Sequence, residues 1–138
     1  MSRPTRLDQL TRFGVTALLS VNHRVPPDDV LADFQKLGLW SHIALPDGKK
    51  PDEEGLQIAV RQVQFFLEAG YRTAVHCDAG RNRACLVAAL VIRERYCYSG
   101  AQAASWVRSR RPNALANQAQ YEWLVSLPAP TLFLNGQT

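Results

Sequence analysis

Apolar residues in this chain fall into short strand-like runs and longer stretches with a helical repeat, and the two kinds alternate. Val15 to Val21 (VTALLSV) reads as a first strand, behind Gly14, which would end a short helix over about residues 5–13. Pro26, Pro27, Asp28 and Asp29 make a helix start, with Val30, Leu31, Phe34 and Leu37 along one face and Gly38 as the stop. Leu39 to Leu45 reads as a second strand, and Pro46 to Gly55 as a turn-rich loop whose acidic end caps the next helix. That helix carries Leu56, Val60, Val63 and Leu67 up to Gly70, and Thr73 to His76 follows as a short buried strand. Helices are then predicted from Arg83 to about Tyr96, from Gly100 to Arg110, and over 117–126, with residues 127–138 as a loosely held tail. The pattern predicts an α/β domain with a mostly parallel central sheet flanked by helices.

Length sets the scale of this plan. At 138 residues, 46% of them hydrophobic and 20% charged, the chain has material for one core, expected over about residues 5–125. The longest apolar run, Ala84 to Ile92, is far short of the roughly 20 residues that cross a bilayer. The opening MSRPTRLDQL lacks the apolar stretch of a secretion signal, so a cytoplasmic location is expected.

Charge is distributed unevenly. Residues 1–70 hold eight Lys/Arg and nine Asp/Glu (net −1), and residues 71–138 hold eight Arg and three Asp/Glu (net +5). The arginines are scattered rather than blocked, which argues against a nucleic-acid-binding tail and suits a site for a small anion. Cys77, Cys85 and Cys97 form no C-x-x-C pair, and His23, His42 and His76 form no metal-binding helix pattern, so neither a disulfide scaffold nor a metal site is expected.

Residues Thr73 to Ala84 (TAVHCDAGRNRA) are the informative segment. They set His76 and Cys77 at the end of a strand, Gly80 three positions beyond the Cys, Arg83 six beyond it, and a helix immediately after. A loop from strand to helix N-terminus turns successive N–H groups inward where the helix dipole also favours an anion. Phosphate suits such a loop. Asp78, Ala79, Gly80, Arg81, Asn82 and Arg83 would line it, with Gly80 permitting close approach and the planar guanidinium of Arg83 gripping two oxygens. The same field favours the thiolate of Cys77, which could displace an alcohol from phosphorus and form a phosphocysteine that water then hydrolyses.

The leaving group needs a proton. Asp47, in the turn after the second strand, is the leading donor because a parallel sheet brings that turn to the edge carrying residues 77–83; Asp52, Glu53 and Glu54 compete. A chance match to His-Cys-x-x-Gly-x-x-Arg in a chain this long is on the order of 1 in 10,000.

These residues resemble the cysteine-dependent phosphatase superfamily, with its H-C-x5-R signature, and more narrowly its small dual-specificity members. Ser20-Val21-Asn22, Leu45-Pro46-Asp47 and Arg111-Pro112 followed by Gln120 extend the likeness. The resemblance implies Cys77 as nucleophile, Arg83 as phosphate clamp, Asp47 as general acid, the backbone of Asp78 to Arg83 as oxyanion cradle, and no cofactor or metal. His76 is expected to organise the loop and Gln120 to touch it. The substrate would be a phosphotyrosine or phosphoserine/threonine protein or another phosphomonoester. Two departures stand out. Ala84 occupies a position where the family usually has Ser or Thr, which predicts slow hydrolysis of the phosphoenzyme, and the one or two strands that commonly precede the first helix have no counterpart here.

Other readings remain open at this level. A phosphate-binding relative without turnover is one; a phosphoinositide or RNA 5'-phosphatase is another; an arsenate reductase using Cys85 or Cys97 as a resolving thiol is a third. Cys85 and Cys97 are otherwise read as packing residues, as are Trp40, Trp106 and Trp123.

Overall fold

The computed structural model describes residues 10–22, 32, 35, 36, 38–46, 48, 50–77 and 82–131. Three short strands make a parallel sheet: β1 (Ala17–Ser20), β2 (Leu39–His42) and β3 (Thr73–His76), in the order β2-β1-β3. Central β1 is wholly buried. That explains its unbroken apolar run, because a parallel strand covered on both faces has no solvent side to alternate towards. The pairing sets Ser20 opposite both His42 and His76, so the carboxyl ends of all three strands lie level along one edge.

Helices α1 (Glu53–Glu68), α2 (Arg83–Tyr96), α3 (Gly100–Arg110) and α4 (Gln118–Ser126) follow. Asp52 caps α1, its carboxylate accepting from Gly55 N at 3.1 Å, and Glu53 and Glu54 sit at the positive end of the helix dipole. One face of α1 buries Leu56, Ala59, Val60, Val63 and Phe66. Beyond the helix the chain turns through Gly70, where φ of +89° favours glycine. Helix α2 buries Ala84, Cys85, Leu86, Val87, Ala89, Leu90 and Val91, more than one face can hold, because it packs against β3, α1, α3 and α4. Ser99 and Gln102 cap α3 reciprocally, at 3.1 and 2.9 Å.

Several predicted boundaries shift. Residues 10–12 are helical, which keeps the end of the first predicted helix, while residues 1–9 lie outside the described residues. The helix predicted between Pro26 and Gly38 also lies mostly outside them, although Ala32 and Gln35 are helical. Both early strands are shorter than their apolar runs. The predicted loose tail is corrected at its start: Leu127 O accepts from Gly100 N at 2.8 Å, and Pro128 O accepts from Arg93 Nε and Nη2 at 2.8 and 2.6 Å.

Gly100 lies where α3 meets the end of α4, and a Cβ there would stand 1.7 Å from Leu124 O. The two backbones approach too closely for any side chain. Gly100→Ala is therefore expected to cost about 1–3 kcal/mol through overpacking. Urea denaturation checks this, and an unchanged midpoint would show that the contact relaxes without cost.

Candidate active site

The parallel register gathers the chain segments that follow β1, β2 and β3. Ile43 N donates to Ser20 O at 2.9 Å, Leu45 N to Val21 O at 3.4 Å, and Val21 N to His76 O at 3.0 Å. The backbone beyond β2 thus runs beside Val21, which in turn runs beside the end of β3. Leu45 and Cys77 are both buried there, at 2% and 3% exposure. A hydrogen bond then crosses from the far side of the loop: Arg83 Nη1 donates to Leu45 O at 3.2 Å. The first residue of α2 is tied to the backbone two residues before Asp47 in sequence.

Asp47 and residues Asp78 to Arg81 lie outside the described residues, but their flanks are placed. On one side of Asp47 stand Leu45 and Pro46; on the other, Gly48 O accepts from Asn117 Nδ2 at 3.0 Å and from Gln120 Nε2 at 2.9 Å. Asn117 also caps α4, its Oδ1 accepting from Gln120 N at 3.1 Å, so one residue starts the helix and holds the turn. Gln120 is 4% exposed, and its Oε1 is buried with no hydrogen-bond partner among the described residues. Beside it lies a cavity of about 10 Å³, bounded also by Leu45, Pro46, Pro51, Leu56, Arg83 and Leu86. Such a volume is about that of one water, a size that lets an orphaned carbonyl find a donor.

Helix α2 begins in an unusual way. Its N-cap Asn82 makes no side-chain bond to the first turn; instead Asn82 Oδ1 accepts from Asn117 N at 2.7 Å. No acidic residue stands in that turn either. Among the described residues, the amide end of α2 therefore keeps its dipole without a side-chain anion from its own first turn, which is the electrostatic condition for binding an external one.

Behind the loop, each strand contributes one member of a polar chain. Trp40 Nε1 donates to Ser20 Oγ at 2.8 Å, and Ser20 Oγ shares a hydrogen with His76 Nε2 at 2.5 Å. With the indole as donor to its lone pair, the Ser20 hydroxyl can turn its own hydrogen to an unprotonated His76 Nε2. The ring next to Cys77 is thereby fixed in orientation. His42 stacks on Trp40 with ring centroids 6.1 Å apart and bonds Asn22 O through Nε2 at 2.7 Å. Trp40, read from sequence as packing, is a hydrogen-bond donor in this network, and Ser20 joins it with no role foreseen. Only a register could have revealed the pair, since 56 residues separate Ser20 from His76.

Cys85, in the first turn of α2, shares the core cluster with Cys77. Burial pushes its thiol above the ordinary range; the charge of nearby Arg111 works against this and a thiolate at Cys77 adds to it. None of the three cysteines is in a disulfide. Of the acids that competed with Asp47, Asp52 is engaged as the α1 cap, while Glu53 and Glu54 point from an exposed first turn. Among the described residues, no group of three or more His, Cys, Asp or Glu side chains is placed to hold a metal ion. No described helix is long and apolar enough to cross a membrane.

The family described as dual specificity phosphatase, catalytic domain, matches residues 2–128. Cyclin-dependent kinase inhibitor 3 of Mus musculus is 30% identical over 104 residues, 74% of this chain and 48% of that protein, so the chain spans about half the length of this curated relative. The crystal structure of Tk-PTP in the active form superposes with a TM-score of 0.74 at 26% identity, over 90% of this chain and 84% of the other. Kinase associated phosphatase, crystallised with its catalytic-site cysteine replaced by serine, gives 0.68 at 25% identity, over 86% and 71%. With the family matched across nearly its whole length and the fold shared, the chain belongs to the dual-specificity phosphatase catalytic-domain family.

Proposed function

We propose that this chain hydrolyses phosphomonoesters through a phosphocysteine on Cys77. The observation that carries the reading is the start of α2: a helix N-terminus without a side-chain cap, six residues beyond Cys77, with Arg83 as its first residue. A phosphate dianion in the loop would meet the helix dipole, the loop amides and the Arg83 guanidinium. Sulfur then attacks phosphorus, the bond to the leaving oxygen breaks, and Asp47 supplies that oxygen with a proton. In the second step water attacks the phosphocysteine, losing its proton to the same carboxylate, and the thiolate departs.

Asp47 owes its part in this to its neighbours. Leu45 O accepts from Arg83, and Gly48 O accepts from Asn117 and Gln120, so the turn is gripped on both sides of the acid. His76, fixed by Ser20, organises the approach to Cys77. At Ala84, buried and without a hydroxyl, nothing on that side chain stabilises the departing thiolate, and the second step is the slow one. Phosphotyrosine and phosphoserine/threonine proteins are the proposed substrates. Three cysteines without a disulfide suit a reducing cytoplasm.

A steady-state assay with an aryl phosphate tests the reading. Cys77→Ser is expected to lower kcat by at least about a thousandfold, as loss of a nucleophile does; equal slow release by both proteins would refute it. Gln120 is proposed as a positioning residue for the acid. Gln120→Leu should lower kcat by about tenfold or more for a poor leaving group, with KM little changed, through misplacement of the proton donor. A leaving group that departs without a proton should be spared. An equal loss for both would reduce Gln120 to a structural part of the fold.

A further inference from the structure

We infer that Arg108 is a positioning residue for the proposed reaction, acting through Asn117 on both the start of α2 and the turn that follows β2. The inference rests on the phosphocysteine reading above. Between α3 and α4, residues 111–117 form neither helix nor strand, so side-chain bonds rather than a backbone ladder set their course. Arg108, near the end of α3, supplies two of these bonds: Nε donates to Ala114 O at 3.2 Å and Nη2 to Leu115 O at 3.0 Å. The flat guanidinium thus spends its edge on adjacent carbonyls while its face lies on Tyr121, with Cζ 3.7 Å from the ring centroid.

Leu115 needs such a hold. Its φ of +61° lies in the left-handed region, which leucine enters only under constraint, and its side chain is buried. Two residues later, Asn117 N donates to Asn82 Oδ1 at 2.7 Å and Asn117 Nδ2 to Gly48 O at 3.0 Å. On the other side of Asn117, Tyr121 N donates to Asn117 O at 2.9 Å. Arg108 therefore grips the chain before Asn117, at Leu115, and after it, at Tyr121. From that one side chain the constraint passes to the N-cap of α2 and to the residue that follows Asp47 in sequence. Lysine, a point charge without the planar fork, cannot bridge both carbonyls and stack as well. Arg110 is a built-in control: it stacks on Trp106 at the same 3.7 Å, but Nη1 donates to the adjacent Ser109 Oγ at 3.2 Å, a bond that reaches no other segment.

The test sets Arg108→Met, Arg108→Lys and Arg110→Met beside the wild type. Hydrogen exchange at the Asn117 amide should quicken by about tenfold in Arg108→Met and by less in Arg108→Lys, with Arg110→Met unchanged. With phenyl phosphate, kcat should fall about tenfold in Arg108→Met while KM moves by less than about twofold. In an Asn117→Ala background the same substitution should cost nothing more, since the path runs through Asn117. A substitution that merely loosened the fold would add its loss to that of Asn117→Ala, and that result would overturn the inference, as would unchanged exchange at Asn117. If Arg108→Met does not fold, Arg108→Lys carries the same comparisons. A wild type that releases no phosphate would instead refute the phosphocysteine reading, and this role with it.

Discussion

The proposed chemistry depends on one helix start whose capping side chain is turned elsewhere. Asn82 holds the N-cap position of α2, yet it spends its side-chain oxygen on Asn117 N at 2.7 Å rather than on its own helix. An ordinary cap would neutralise part of the dipole and stabilise α2 by about 1 kcal/mol. Diverting it forgoes that stabilisation, and α2 is held instead by burial of seven residues among β3, α1, α3 and α4. Among the described helices, α2 buries the most residues, and it is the one whose cap side chain is turned elsewhere.

The diverted bond has a second consequence, since it fastens the start of α4 to the start of α2. Asn117 and Gln120 then reach Gly48, and Arg83 reaches Leu45, so the turn between them is gripped from both helices. Residues remote in sequence are thereby linked through one set of hydrogen bonds: Leu45 and Gly48, Asn82 and Arg83, and Asn117 and Gln120. In a parallel sheet this convergence is geometric, because strands level at their carboxyl ends deliver their loops to one place.

Much of the fold was legible in the sequence because burial leaves a periodic trace. The repeat of Leu56, Val60 and Val63 marks α1, and Ser99 with Gln102 marks the start of α3. The motif from His76 to Arg83 could be read for the same reason, being local: strand end, loop and helix start are contiguous. What stayed hidden was non-local. The Trp40–Ser20–His76 chain needs the register of three strands, and the hold of Asn117 on Gly48 spans 69 residues. The end of β2 was overextended because Ile43 and Leu45 continue the apolar run, while regular pairing stops after Ile43 N meets Ser20 O and Leu45 N falls one residue short of the register, on Val21 O at 3.4 Å. Pinning of Leu127 and Pro128 escaped notice because backbone carbonyls, which any residue carries, accept those bonds.

The chemistry has the most direct test. Rapid-quench reaction with a phosphorus-labelled aryl phosphate should release a burst of phenol close to one equivalent per chain, with label recovered on Cys77 by mass mapping. Phenol release with no burst and no label on that sulfur would contradict the account.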